Sequence, residues 1–264
     1  MSVSVYIFQR ARTRMPALIW HLGSLLPLLL VFSLSGCLLQ RLYSIREQLC
    51  DLEENFQIVA NEGVRLLFLH PILLDKDVIW LAGAKPSQVK TTGNDLFMRY
   101  IVVKEGAPHR AEYDIPIQLR FIQRNGAYTL KEININKSLT SVVTSKLITQ
   151  CLKSVCNAEK SIVGRSVTFD LKDLDRALLL TRLEVIHILG EPNRVNHDEH
   201  KISYNYKLKN NDEIEKKSQI DAYFNASGSE ILRVRVSSLR YHLDADFVTG
   251  KAILKVRASE KSSI

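Results

Sequence analysis

Near the middle of this chain an Asn-Gly pair stands between two runs that alternate apolar and polar residues, and few folds accept that arrangement. Ile115, Ile117, Leu119 and Phe121 alternate with Pro116, Gln118 and Arg120; Asn125-Gly126 follows, and the chain resumes over Tyr128–Ile135. A period of two sends alternate side chains to one face of a strand. Asn-Gly supplies the two positive-φ residues that a tight hairpin turn requires. The apolar phase flips between Leu130 and Ile133, which predicts a bulge. Pro116 lacks an amide hydrogen and so is expected to face an unpaired edge. The same alternation returns later. Ile202, Tyr204, Tyr206 and Leu208 form one run; Ile220, Ala222 and Phe224 form a second; Leu232, Val234 and Val236 form a third, interleaved with Arg233 and Arg235. A polar loop at 209–218 and a Ser227-Gly228 turn separate the three, and Lys251–Val256 adds a terminal strand.

Helices flank these strands. Leu42, Ile45, Leu49, Leu52 and Phe56 recur at helical spacing, which predicts one helix from Leu42 to Phe56. A second is expected from Leu139 to Glu159, with Leu147, Ile148, Cys151, Leu152 and Val155 inward. Val64–Leu69, Val78–Leu81 and Leu96–Val103 are apolar runs rich in β-formers and read as strands. Residues 161–175 read as an irregular link. Thr181 and Glu184 fit a capping box, Val185, Ile186 and Leu189 give an apolar stripe, Gly190 stops that helix and Pro192 keeps it stopped. The expected fold class is α+β in two domains: helix, antiparallel sheet, helix over 37–165, then α-β-β-β with its helix packed on a small antiparallel sheet over 166–258. Residues 259–264 read as a disordered tail.

The amino end carries a different signal. Residues 1–36 hold Arg10, Arg12 and Arg14 and no acidic residue, and Met15 to Ser35 is apolar almost throughout. A basic start, an apolar stretch and a small-residue end is the layout of a secretory signal. Leu34-Ser35-Gly36-Cys37 resembles the lipobox of bacterial lipoproteins. That resemblance implies a diacylglyceryl thioether on Cys37, cleavage between Gly36 and Cys37, and acylation of the new amine. The alternative is a permanent anchor, since the stretch approaches the roughly 20 residues that span a bilayer. Pro16, Gly23 and Pro27 make a poor permanent helix. Each buried CH₂ adds roughly 0.8 kcal/mol, so two or three acyl chains hold firmly where one does not. By resemblance to the enteric sorting rule, Leu38 in place of Asp implies the outer membrane. The few residues between Cys37 and the first helix keep the folded body close to that membrane and facing the periplasm.

The whole chain carries 36 basic and 28 acidic residues, a formal charge of +8; without residues 1–36 the charge is +5. That mild excess describes a soluble surface and calls for no nucleic-acid partner. Cys50, Cys151 and Cys156 remain beside Cys37, in a compartment that permits disulfides. Cys151 and Cys156 point about 140° apart on one helix, which disfavours a bridge between them. Cys50 is therefore expected to pair with Cys156, or with Cys151. Cys151 shares a face with Ile148, Leu152 and Val155 and reads as a plain buried thiol. Three reduced, buried cysteines are the competing arrangement.

Thr181-Arg182-Leu183-Glu184-Val185, Leu189-Gly190-Glu191-Pro192, Tyr204-x-Tyr206 and Tyr223-Phe224 with Gly228 together resemble the BamE (SmpA/OmlA) family of outer-membrane lipoproteins. The likeness spans about 178–237. It implies an α-β-β-β fold and a place beside the β-barrel assembly machinery. In that family the domain follows the lipid anchor directly, whereas here a domain of no named family intervenes, so no partner-binding residue is carried over.

Chemistry-bearing patterns are few. The sequence has no Walker loop, dinucleotide turn, nucleophile elbow or zinc-helix motif. His197 and His200, with Asp198 and Glu199 between them, read as a solvated loop rather than a metal site. His187 reads as a boundary residue. Asp244 and Asp246, beside His242, suggest a carboxylate pair but are more simply turn chemistry. Arg233 and Arg235 read as a solvated strand face. The expectation is a non-enzymatic binding or adaptor lipoprotein of envelope biogenesis, with no catalytic residue, metal or cofactor, whose partners are the membrane and envelope proteins. The alternatives are a carrier of a small apolar ligand or lipid, and a hydrolase with a site between the domains.

Overall fold

The computed structural model describes residues 38–60, 63–106, 110–136, 144–161, 165–209, 216–238 and 240–256. Two compact units divide the chain, Met1–Arg41 and Leu42–Ile264. Of the first, residues 38–41 are described and are helical; Gly36, Cys37 and the 259–264 tail lie outside the described residues.

The second unit overturns the two-domain expectation. Its strands form one antiparallel sheet of fourteen. In chain order they are β1 (Phe56–Ala60), β2 (Gly63–Phe68), β3 (Gln88–Thr92), β4 (Asp95–Lys104), β5 (Ile115–Arg124), β6 (Ala127–Asn136), β7 (Glu159–Ser161), β8 (Ser166–Asp170), β9 (Arg194–Asn196), β10 (Lys201–Lys209), β11 (Lys216–Phe224), β12 (Ile231–Ser238), β13 (Tyr241–Asp246) and β14 (Lys251–Val256). The hydrogen-bonded path runs β1-β2-β6-β5-β4-β10-β11-β12-β13-β14-β8-β7, with β3 beside β4 and β9 beside β10. The supposed halves join where Ile101–Lys104 of β4 pair with Tyr206–Lys209 of β10. The link expected at 161–175 contains β8, which pairs with β14 and extends the sheet. β4 has room for both neighbours because β3 takes Asp95–Arg99 and β10 takes the rest of that side.

Helices are short. α1 covers residues 42–50 and a turn at Asp51 precedes α2 (Leu52–Asn55), so Phe56 begins β1 rather than ending a helix. α3 (Asp75–Ala82) occupies the run read as a strand at Val78–Leu81; the Asp77 carboxylate accepts from the Leu74 amide at 2.9 Å and fixes its first turn. α4 (Ser145–Cys156) starts at Thr144, whose hydroxyl accepts from the Leu147 amide, and α5 (Arg182–Leu189) starts at the Thr181–Glu184 capping box.

The hairpin signals hold. Asn125 and Gly126 sit at φ 49° and 79° between β5 and β6. Phe121 faces Leu130 while Arg120 faces Glu132, which leaves Lys131 as the extra residue of a bulge where the apolar phase flips. Pro116 does not face an edge. β5 is interior, Pro116 lies opposite Ile101, and pairing with β6 begins one residue later, at Ile117 with Ile135. In β12 the register slips as well: Phe224 faces Ile231 and Tyr223 faces Arg233, so Leu232 bulges and Ile231 takes the core position.

Two cores result. Leu49, Leu52, Phe56, Phe68, Met98 and Phe121 anchor one, with Leu152 and Val155 of α4 and Leu208 of β10 packed against it. Val185, Ile202, Tyr204, Tyr206, Phe224 and Ile231 anchor the other, with Val102 and Ile115 packed against it. Each core thus takes apolar side chains from the other half of the sequence. That exchange, with the shared β4–β10 ladder, joins the two halves of the sequence in one sheet instead of two separate layers.

Candidate functional site

A cleft of about 600 Å³ opens where β4 meets the carboxyl end of α5, lined by Lys104, Arg110, Tyr113, His187, Gly190 and Asn193 among others. The Gly190-Glu191-Pro192 stop predicted from sequence builds one wall. Gly190 adopts φ 71°, ψ −170°, a conformation nearly confined to glycine. The Tyr113 ring packs directly on it: an added Cβ would meet Tyr113 carbons at 2.6–2.8 Å. Lys104 reaches the end of α5 from β4, and its Nζ donates to the carbonyls of Leu189 at 2.6 Å and Glu191 at 2.5 Å. A cation at those carbonyls complements the helix dipole. Burial lowers the Lys104 pKa, and the Glu191 carboxylate opposes that shift. The same Nζ lies about 5 Å from the ring centroids of both Tyr113 and Tyr204. Asn193 closes the end of the cleft. Its Nδ2 donates to Glu105 C=O at 2.6 Å, and its Oδ1 accepts from the Asn205 amide at 2.8 Å.

Sequence reading saw Gly190 and Pro192 only as a helix stop. Lys104, Tyr113 and Asn193 were missed, because nothing in the periodicity shows that a loop 80 residues upstream returns to this turn. His187, read as a boundary residue, is exposed and lines this cleft. Tyr204 and Tyr206 are fully buried, and burial raises both phenol pKa values; their hydroxyls find no hydrogen-bond partner among the described residues.

The opposite face of the second half carries charge. Arg233 donates to both Asp244 oxygens, at 2.6 and 2.5 Å, and Arg235 donates to Asp244 at 3.2 Å and to the Tyr223 hydroxyl at 3.1 Å. The Arg233 hydrogen bond holds the Asp244 carboxyl below the ordinary carboxylate range. The two arginines are therefore paired, not a free basic strip. Asp244 and Asp246 both lie on strand β13; the turn chemistry expected of them fails for Asp244 and holds for Asp246. Asp246 turns away from Asp244 in function, accepting from the Val248 and Thr249 amides at 2.9 and 3.0 Å to shape the next turn. His242 Nδ1 and Ser237 Oγ are 2.9 Å apart across the strands.

The His197–His200 segment is the β9–β10 turn: Asn196 Oδ1 accepts from the amides of Asp198 and Glu199, and Glu199 pairs with Lys201 at 2.6 Å. Among the described residues no group of three or more histidine, cysteine or acidic residues is placed to hold a metal ion. Cys50 and Cys156 form a disulfide with Cα atoms 4.9 Å apart, and Cys151 is free. Cys151 is exposed rather than buried, because the face of α4 that packs is the one carrying Leu152 and Val155. No protein family, curated protein or solved structure matches this chain.

Proposed function

We propose that this protein is an envelope lipoprotein, anchored through Cys37 and facing the periplasm from the outer membrane, that works without catalysis by binding a partner protein. The lipobox-like Leu34–Cys37 segment supports the anchor. The observation that carries the binding role is the outer strand β3. Among the described residues it pairs with β4 alone, and all five of its residues are exposed, Val89 to 58%. A single-sided strand offers backbone donors and acceptors to an extended peptide, with side-chain specificity from alternate positions. The resemblance over 178–237 directs attention to the β-barrel assembly machinery as that partner.

Two measurements test this. Labelled palmitate should enter the wild-type chain and not Cys37→Ser. A photo-reactive residue at Val89 should capture an envelope protein in intact cells, and recovery of barrel-assembly subunits would name the process. Absence of label in the wild type would end the lipoprotein reading, and absence of any adduct at position 89 would end the edge-binding one.

The carrier reading has one observation in its favour. Val236, Leu243, Leu254 and Val167 form a cross-strand row on the core side of β12, β13, β14 and β8, all half-buried, and none belongs to either core as defined above. Lipid recovered by solvent extraction of the purified protein would support it.

A further inference from the structure

The Cys50–Cys156 bond joins places that lie far apart along the sheet. α1 and α2 lead into β1, the strand at one end of the hydrogen-bonded path, and α4 leads into β7, the strand at the other end. The disulfide therefore ties the approach to the first edge of the sheet to the approach to the last. Three weaker contacts lie on the same seam. Arg46 Nη2 donates to the Cys156 carbonyl at 2.8 Å, Lys160 of β7 lies 3.7 Å from the Tyr43 ring centroid, and Lys153 of α4 stands 3.5 Å from Glu53. α4 itself packs against both β1 and β8. The ion pair is exposed on both sides and contributes little.

We propose that this disulfide is a redox-operated clasp: oxidised, it holds α4 across the two ends of the sheet; reduced, it lets α4 lift from β1 while the rest of the sheet stays folded. Topology restricts what the bond secures. β1 has β2 as its strand partner, and α4 adds Leu152 and Val155 to the core beside it. β10 to β13, by contrast, are each paired on both sides, and β10 to β12 add side chains to the core under α5. Local opening free energies follow such differences in packing.

Cys50 is exposed and Cys156 half-buried, so the step is drawn with attack at Cys50. The thiolate of a dithiol reductant attacks Cys50 Sγ, the Sγ–Sγ bond breaks, and Cys156 leaves as a thiolate that takes up a proton. The second thiol of the reductant then displaces Cys50, which is protonated in turn. The protein gains two electrons and two protons, and the reductant departs as its disulfide.

The test is amide hydrogen exchange, read by mass spectrometry on the full chain, oxidised and after treatment with dithiothreitol. Cys50→Ser/Cys156→Ser serves as a form that cannot close, and Cys151→Ser as a thiol control. Exchange in Phe56–Ala60 and Ser145–Cys156 should rise at least about tenfold in the reduced protein and the double variant, with β10–β13 unchanged and Cys151→Ser like wild type. Equal exchange in all forms would overturn the clasp. So would loss of protection throughout the sheet, since the bond would then be a global staple with no local action.

Discussion

Gly190 has no room for one more side-chain atom. Its φ and ψ lie where L-residues are strained, and Tyr113 occupies the space a Cβ needs. Gly190→Ala should lower stability by about 1–3 kcal/mol, read as a shift in the urea midpoint. Removing the ring relieves the clash and leaves the backbone strain. In the Gly190→Ala/Tyr113→Ala double variant the two losses should therefore sum to less than their separate values; strict additivity would mean that ring and turn do not meet in solution. Asp244 gives a pH signature with a fixed sign. Its carboxyl pKa is depressed in the folded protein, first by the hydrogen bond from Arg233 and then by the charges of both arginines. Such a group stabilises the fold above the ordinary aspartate range, and that contribution disappears as pH falls through the depressed folded value. Wild type should thus exceed Asp244→Asn in stability near neutrality, with the gap closing in acid. A gap that persists unchanged into strong acid would show that the arginines hold Asp244 by shape rather than by charge.

At the scale of elements, what was legible from sequence depended on whether a signal was local. The Thr181 cap, the Asn125-Gly126 turn and the Lys131 bulge are decided within a few residues, and all three stand as read. Thr181→Ala should cost about 1 kcal/mol, because the hydroxyl that accepts from the Glu184 amide is lost, and Thr181→Ser should restore most of it. Equal loss in both variants would locate the effect in the methyl group's packing. Elements decided by distant partners were misread. Val78–Leu81 is the exception, misread although its signal is local: it looks like a strand by composition, yet the buried Asp77 three residues after Leu74 caps a helix there. β13 was hidden because Asp244 and Asp246 suggest a turn; only Arg233 and Arg235 on the neighbouring strand make an acidic strand face acceptable. The candidate cleft was half visible. Gly190 and Pro192 announced a stop, but Tyr113 and Lys104 arrive through a pairing of β4 with β10 that periodicity cannot specify.

At the scale of the whole molecule, the continuous sheet makes folding of either half depend on the other. Val102 and Ile115 complete the core under α5, Leu208 completes the core beside α1, and Lys104 satisfies the carbonyls at the end of α5. A chain cut between 165 and 166 would leave β10 without β4, expose part of the α5 core and strand those carbonyls. The fragment 166–264 should therefore fail to show a cooperative thermal transition, or show one far below that of the full chain, while residues 37–264 should melt in a single step by circular dichroism and by tyrosine fluorescence alike. Coincident transitions from the two probes, together with an unstable fragment, follow from one shared sheet. A fragment that melts cooperatively at the temperature of the full chain would mean that the four residue pairs between β4 and β10 join two self-sufficient domains, and that the cross-packed side chains contribute little to either core.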